Sequence, residues 1–237
     1  MIQVVTYATH SQGMFEDLMN NSQGVEIKVL GWGKKWTGYN DKLKECYNYI
    51  NELPDDDIIV IIDGFDSKII KPLDEIEKRF LEMNCKVLFS IDPELSGKNN
   101  TLKVFTSCKN NKIINAGLYM GYVKYLKPIL NDALEMKCKD DQRNINILCK
   151  KYPYLTIDEN EIIFSNKKNL NACILGFPGE TSMSRHIRGF KDYSQFFIFE
   201  YLILMFIILS LYPNKYMFIF TFMILFMFVK FSDKSCL

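Results

Sequence analysis

Asp63 and Asp66 stand three residues apart, with Gly64 and Phe65 between them, directly after five branched aliphatics, Ile58-Ile59-Val60-Ile61-Ile62. Two carboxylates at one point are hard oxygen donors. They suit Mg²⁺ or Mn²⁺ shared with a phosphate-bearing ligand. Gly64 permits the sharp turn that would aim both at that point. A solvated strand-to-turn exit, where Asp and Gly are common, is the competing reading of the same four residues. Two further acidic groups occur, Asp92-Pro93-Glu94 and Asp140-Asp141-Gln142-Arg143. A carboxylate beside a reacting hydroxyl can act as a base or steady developing positive charge. Acidic residues in a helix's first turn also simply favour its dipole.

These residues need elements to position them. An unbroken apolar run such as Ile58–Ile62 reads as a strand buried on both faces, as in a parallel sheet. Ligands of open α/β sheets collect beyond the carboxyl ends of such strands. Ile2–Ala8 reads as a first strand, followed by a polar turn, Thr9–Gly13, and a helix through Phe15 and Leu18. Helix N-termini at such turns offer N–H groups to phosphates. Val25–Leu30 is a second strand, and Gly31–Tyr39 is a glycine-rich loop holding Trp32, Trp36, Lys34 and Lys35. Such a loop either packs a tryptophan beneath itself or closes over an aromatic, anionic ligand. Leu43, Tyr47 and Ile50 mark an amphipathic helix over 41–53. A helix over 72–83 and a strand over 85–91 continue the alternation and imply a parallel sheet. Small residues at 116, 117 and 121 in the next apolar run suggest close approach to a ligand or another segment. Helices at 125–136 and from Lys139, then short strands at 155–157, 162–164 and 172–175, complete this part.

Composition narrows the function. A net charge of +1 gives no global field for nucleic acid. There is no G-x-G-x-x-G and no P-loop, so the fingerprints of dinucleotide dehydrogenases and P-loop NTPases are missing. The seven cysteines include no C-x-x-C pair; the expectation is buried or free thiols rather than zinc or a disulfide framework. The N-terminus has no basic region and no long apolar stretch, so no cleavable signal peptide is expected.

Taken together, the pieces resemble the glycosyltransferase domain of the procollagen lysyl hydroxylases and the related collagen glucosyl- and galactosyltransferases. Thr6-Tyr7-Ala8-Thr9 resembles the first-strand exit of that family. Leu30-Gly31-Trp32-Gly33 through Trp36 resembles its L-G-x-G-x-x-W loop, whose tryptophan contacts uridine. Asp63-Gly64-Phe65-Asp66 resembles its D-x-x-D metal motif, Asn115-Ala116-Gly117 through Gly121 its N-[SA]-G-x-x-x-G segment, and Asp140-Asp141-Gln142 its D-D-Q. The resemblance covers about residues 2–190. It implies a GT-A-type mixed α/β nucleotide-sugar domain over 1–192, with a UDP-sugar donor (UDP-glucose or UDP-galactose) and Mn²⁺ or Mg²⁺. Asp63 and Asp66 would hold the metal. Thr6, Ala8, Thr9, Lys34, Trp36, Asp63, Gly64, Asn115, Gly117 and Gln142 would hold the donor. Asp140 and Asp141 would face the sugar and an acceptor hydroxyl, such as hydroxylysine of a collagen-like protein.

One position departs from the family. Its metal site is closed by a histidine in an H-G-N-G loop, and Gly176-Phe177-Pro178-Gly179 stands there instead. The departure implies weaker metal binding, a water in the third position, or a membrane-tethered binding or scaffold domain without transferase activity. His10 and His186 are the only histidines. An iron-dependent hydroxylase, needing two histidines and a carboxylate, is set aside on that count.

From Phe196 the composition changes. Phe196–Tyr212 and Tyr216–Val229 are nearly all apolar and are interrupted by Pro213-Asn214-Lys215. Neither has a polar face, so 193–237 is read as a membrane-anchoring tail: two tight spans in a hairpin, or one span plus an interfacial segment. A core helix pair is the other reading. A hairpin would leave the catalytic domain on the side of the tail's end, and free cysteines favour the cytosol.

Overall fold

The computed structural model describes residues 1–97, 102, 104–138, 140–178 and 194–231. The aliphatic run forms β3 (Ile58–Asp63), and its first five residues are buried. β1 (Ile2–Tyr7) and β2 (Ile27–Leu30) lie parallel beside it. On the other side stands β6 (Ile114–Tyr122), antiparallel to β3 and to β5 (Val87–Ile91), and β7 (Leu155–Asp158) closes the edge parallel to β5. The order β2-β1-β3-β6-β5-β7 makes a mixed sheet, as the GT-A resemblance implied and in place of the parallel sheet read from the strand–helix alternation alone. A strand buried on both faces reads as apolar in either direction, so the run could not report the direction of its neighbour.

Helices pack on one face of this sheet: α2 (Asn40–Asn51), α4 (Val123–Glu135) and α5 (Asp141–Leu148). They join Leu43, Ile50, Leu126, Ile129 and Ile145 to Val5, Ile61, Phe89 and Tyr119 in one core. The other face receives α1 (Phe15–Asn20), α3 (Leu73–Glu82) and a second, three-stranded sheet, β4 (Ser67–Ile69), β9 (Ile174–Gly176) and β8 (Phe164–Ser165). There Leu18, Phe80, Phe164 and Ile174 meet Val60, Ile62, Leu88 and Met120. Each such fully buried side chain contributes about 1.5–3 kcal/mol. β4 had no sequence signal of its own. Three residues pair only because β9 returns beside them, Ser67 opposite Gly176.

The cysteine expectation is also corrected. Cys108 and Cys149 form a disulfide across 41 residues of chain, their Cα atoms 5.1 Å apart. Cys46, Cys85 and Cys173 are free.

The chain divides into two compact units, 1–178 and 179–237. In the second, a 3₁₀ turn (Ser194–Phe197) precedes α6 (Ile198–Leu211) and α7 (Lys215–Phe231). Asn214 ends the break between the two helices, its Oδ1 accepting the N–H groups of Tyr216 and Met217 at 3.0 Å each. Phe199, Phe206, Phe218, Phe220 and Phe222 are exposed. No helix among the described residues is long and apolar enough to cross a membrane. The 14 residues of α6 and 17 of α7 reach only about 21 and about 26 Å at 1.5 Å per residue. A hydrocarbon core is about 30 Å thick. His186 and the basic residues around it lie outside the described residues.

Candidate active site

The D-G-F-D turn leaves β3 beside the carboxyl end of β1. Thr6 donates its hydroxyl to the Ile62 carbonyl at 2.9 Å, locking the two strand ends together. A Cβ at residue 64 would lie 2.9 Å from Thr6 Oγ1, 3.0 Å from the Tyr7 carbonyl oxygen and 3.2 Å from Ala8 Cβ, so only glycine lets the turn sit this close. Inside the turn, Asp63 Oδ1 accepts the Phe65 N–H at 3.2 Å. The Asp66 carbonyl accepts the Phe177 N–H at 2.7 Å, tying the turn to the end of β9. The turn reading and the site reading therefore coexist: one oxygen of Asp63 shapes the backbone.

Its other oxygen faces β6. A Cβ on Gly117 would lie 3.8 Å from Asp63 Oδ2 and 2.9 Å from Asn115 Oδ1, so only glycine lets the Asn115 side chain and the strand form this cradle beside the carboxylate. Asn115 Oδ1 accepts the Gly117 N–H at 2.8 Å and keeps the strand in that shape. Thr6, Ala8, Asp63, Gly64, Asn115 and Gly117 are thus brought together.

The tryptophan loop is fastened to the same strand exit. Gly33 donates its N–H to the Thr9 carbonyl at 2.9 Å, and Thr9 Oγ1 lies 2.9 Å from His10 Nδ1. Trp36 is 45% exposed and leans on Tyr7 and Tyr39, with ring centroids 5.8 and 5.7 Å apart, so a face remains available for stacking. Lys34, expected on the phosphate side, pairs with Glu45 on α2 at 2.7 Å.

The D-D-Q residues open α5. Asp140 is its N-cap and accepts the Arg143 N–H at 2.9 Å, worth about 1 kcal/mol of helix stability. Asn146 pins the helix to the first residue of β6: its Oδ1 accepts the Ile114 N–H at 2.9 Å and its Nδ2 donates to the Ile114 carbonyl at 3.2 Å. Gln142 reaches Asp92 Oδ2 at 3.3 Å, while Asp92 Oδ1 accepts the N–H groups of Glu94 and Leu95. Burial pushes the Asp92 carboxyl up, opposed by the hydrogen bonds from Leu95, Gln142 and Glu94. Asp141 is buried and lies 2.9 Å from the ammonium of Lys42.

Lys42 escaped the reading of the sequence. It stands on α2, itself buried, and donates to the Ala116 carbonyl at 3.1 Å as well. Burial works against its charge, but the carboxylates of Asp141 and Asp63 outweigh burial and push it up. A signal existed: residues 42, 46 and 50 follow one another on the buried stripe of an amphipathic helix, and a lysine there requires a partner.

The Asp63 carboxylate beside the Gly117 cradle is a hard oxygen donor of the kind that suits a small cation keeping several waters, such as Mg²⁺ or Mn²⁺. Among the described residues, no three of His, Cys, Asp and Glu come together as a metal-binding group. Residue 176 has no room for another ligand. A Cβ there would lie 2.1 Å from Asn166 Oδ1 and 2.9 Å from Leu118 Cδ1. Asn166 is held by its Nδ2 bond to the Ile91 carbonyl at 2.7 Å, and its Oδ1 is buried with no hydrogen-bond partner among the described residues.

A mixed sheet whose strand exits gather acidic residues, glycines and an aromatic loop has the architecture of a glycosyltransferase. The crystal structure of a glycosyltransferase involved in the glycosylation of the major capsid of PBCV-1 has a similar fold, with a TM-score of 0.52 over 79% of this chain and 97% of that one, at 9% sequence identity. The family model of the PLOD GT domain matches residues 1–177, and the chain belongs to that family. Its relatives include procollagen-lysine,2-oxoglutarate 5-dioxygenase of Drosophila melanogaster, 29% identical over 157 residues, which are 60% of this chain and 21% of that protein. The multifunctional procollagen lysine hydroxylase and glycosyltransferase of Caenorhabditis elegans is 23% identical over 171 residues, 66% of this chain and 22% of that protein. The chain thus spans about a fifth of the length of these curated relatives.

Proposed function

We propose that this domain transfers glucose or galactose from a UDP-sugar to a hydroxyl, such as hydroxylysine of a collagen-like protein, with Mn²⁺ or Mg²⁺ bound at Asp63 and Asp66. The observation that carries the reading is the convergence of Asp63, the Gly117 cradle and the β1 exit on one point, with Trp36 exposed on the adjoining loop. A divalent ion there would act as a Lewis acid on the diphosphate leaving group. The chain's own residues do the rest. Trp36 stacks on the base, and Asn115 and Gly117 shape the floor under the sugar diphosphate. Gln142, steadied by Asp92, hydrogen-bonds the sugar, and Asp140 fixes negative charge near the anomeric centre, while Asp141, paired with Lys42, holds the helix start in place. Calorimetric titration of UDP into the full chain is expected to show binding that strengthens with Mn²⁺. Equal heats with and without Mn²⁺ would sink the metal-dependent reading.

The filled space at Gly176 favours a second reading, a binding or scaffold domain with little turnover. It predicts UDP binding without release of sugar from UDP-glucose or UDP-galactose.

The exposed phenylalanines of α6 and α7 support association of the tail with a membrane, lying in the interface where short helices suffice. The Cys108–Cys149 bond favours an oxidising compartment over the cytosol for the domain. Protease protection of the domain in sealed microsomes is the expected result; digestion without detergent returns it to the cytosolic side.

A further inference from the structure

We propose that Lys42 is a positioning residue, whose ammonium clamps Asp141 against β6 and holds down the affinity of the Asp63 site for divalent cations. The inference rests on the donor-site reading above and deepens it. Lys42 Nζ lies 2.9 Å from Asp141 Oδ2 and donates to the carbonyl of Ala116 at 3.1 Å. Ala116 is the residue between Asn115, whose side chain shapes the floor, and Gly117, whose missing Cβ opens the cradle beside Asp63. One cation therefore touches the D-D-Q helix and the β6 floor, one residue from the Gly117 position that adjoins Asp63 Oδ2, and the Asp63 charge acts on it. The side chains of Lys42 and Asp141 are 11% and 8% exposed. A charge pair this dry is costly to break, because either partner alone is left buried and uncompensated. Asp141 Oδ1 is already used, accepting the N–H of Gln142 at 2.9 Å. Asp141 Oδ2, buried and with no hydrogen-bond partner among the described residues, has the Lys42 ammonium as its counter-charge, and Lys42 fixes where the helix start, with Gln142 on it, stands relative to the floor.

The same charge acts on Asp63. A fixed monocation beside that carboxylate repels an incoming dication through a medium far less polar than water. Removing it raises divalent-ion affinity, even as it loosens the geometry that turnover needs. Those two effects have opposite signs. A residue that only stabilised the fold would not produce them together.

The test uses the full chain as wild type, Lys42→Arg, Lys42→Met and Lys42→Met/Asp141→Asn. Titration of Mn²⁺ in the presence of UDP is expected to show about tenfold tighter Mn²⁺ binding in Lys42→Met, with Lys42→Arg within about threefold of wild type. Sugar release from UDP-glucose or UDP-galactose is expected to fall about 100-fold in kcat in Lys42→Met, with KM little changed and Lys42→Arg largely restored. Thermal melting should show the double variant more stable than Lys42→Met, because it buries no unpaired charge. Unchanged Mn²⁺ affinity in Lys42→Met, or a double variant less stable than the single one, would overturn the proposal. If wild type itself binds neither UDP nor Mn²⁺, the donor-site reading falls, and the melting comparison alone decides the clamp.

Discussion

Replacing Asp66 by asparagine is expected to lower Mn²⁺-dependent sugar release from UDP-glucose or UDP-galactose by about three orders of magnitude while the domain stays folded. A Lewis acid on the leaving diphosphate is worth several kcal/mol, and about 4 kcal/mol corresponds to that factor in rate. The effect should be this large because the described residues offer no reserve. No third metal-ligating His, Cys, Asp or Glu stands with the two aspartates among the described residues, and residue 176 is walled in by Asn166 and Leu118. The backbone should survive, since the bond that holds β9 to the turn comes from the Asp66 carbonyl and not its carboxylate. Turnover and circular dichroism measured on the same preparation check both halves. Full activity in the asparagine variant would remove Asp66 from the metal site.

Opening the Cys108–Cys149 bond is expected to cost about 4 kcal/mol of stability, the chain-entropy value for a closed loop of about forty residues. That loop is not peripheral. It contains all of β6, α4 and α5. Cys149 directly follows α5, the helix that carries Asp141 and Gln142. Urea unfolding with and without a reductant, and of Cys149→Ser, measures the loss. A change under about 1 kcal/mol would mean that the bond is not formed in solution or constrains nothing. The Cys149→Ser protein should also lose part of its turnover, since α5 then loses its covalent tie and keeps only non-covalent anchors such as Asn146, Asn144, Gln142 and the Lys42–Asp141 pair.

The sequence carried the strands that hold the site more clearly than it carried their pairing. Ile58–Ile62 reads as a strand buried on both faces, as it is, and the following D-G-F-D was legible as the turn that leaves it. The small residues at 116, 117 and 121 correctly signalled close approach. Gly117 faces Asp63, and a Cβ on Gly121 would come within 2.8 Å of the Lys86 carbonyl oxygen. Strand direction was not legible, because β6 has the same apolar pattern whichever way it runs. β4 and its sheet were not legible because three residues have no periodicity to read. The disulfide depended on two cysteines 41 residues apart meeting in space, which spacing alone does not state. Among the lysines, the loop position of Lys34 drew attention and the helix position of Lys42 did not. Exposure and a nearby glutamate took the first, and burial brought the second to the acidic motifs.

The antiparallel β6 has a consequence for how the domain comes into being. It enters the sheet between β3 and β5, pairing Ile62 with Leu118 across more than fifty residues of chain. A growing polypeptide that has reached Ile91 holds β1, β2, β3 and β5, yet β3 and β5 have no common neighbour and Asp63 has no floor beneath it. Contacts this distant in sequence form late and slowly. The site therefore closes in the same event that completes the sheet. A partly folded chain would have its acidic turn but not the Gly117 cradle beside it, so any ligand that needs both would report that folding has finished.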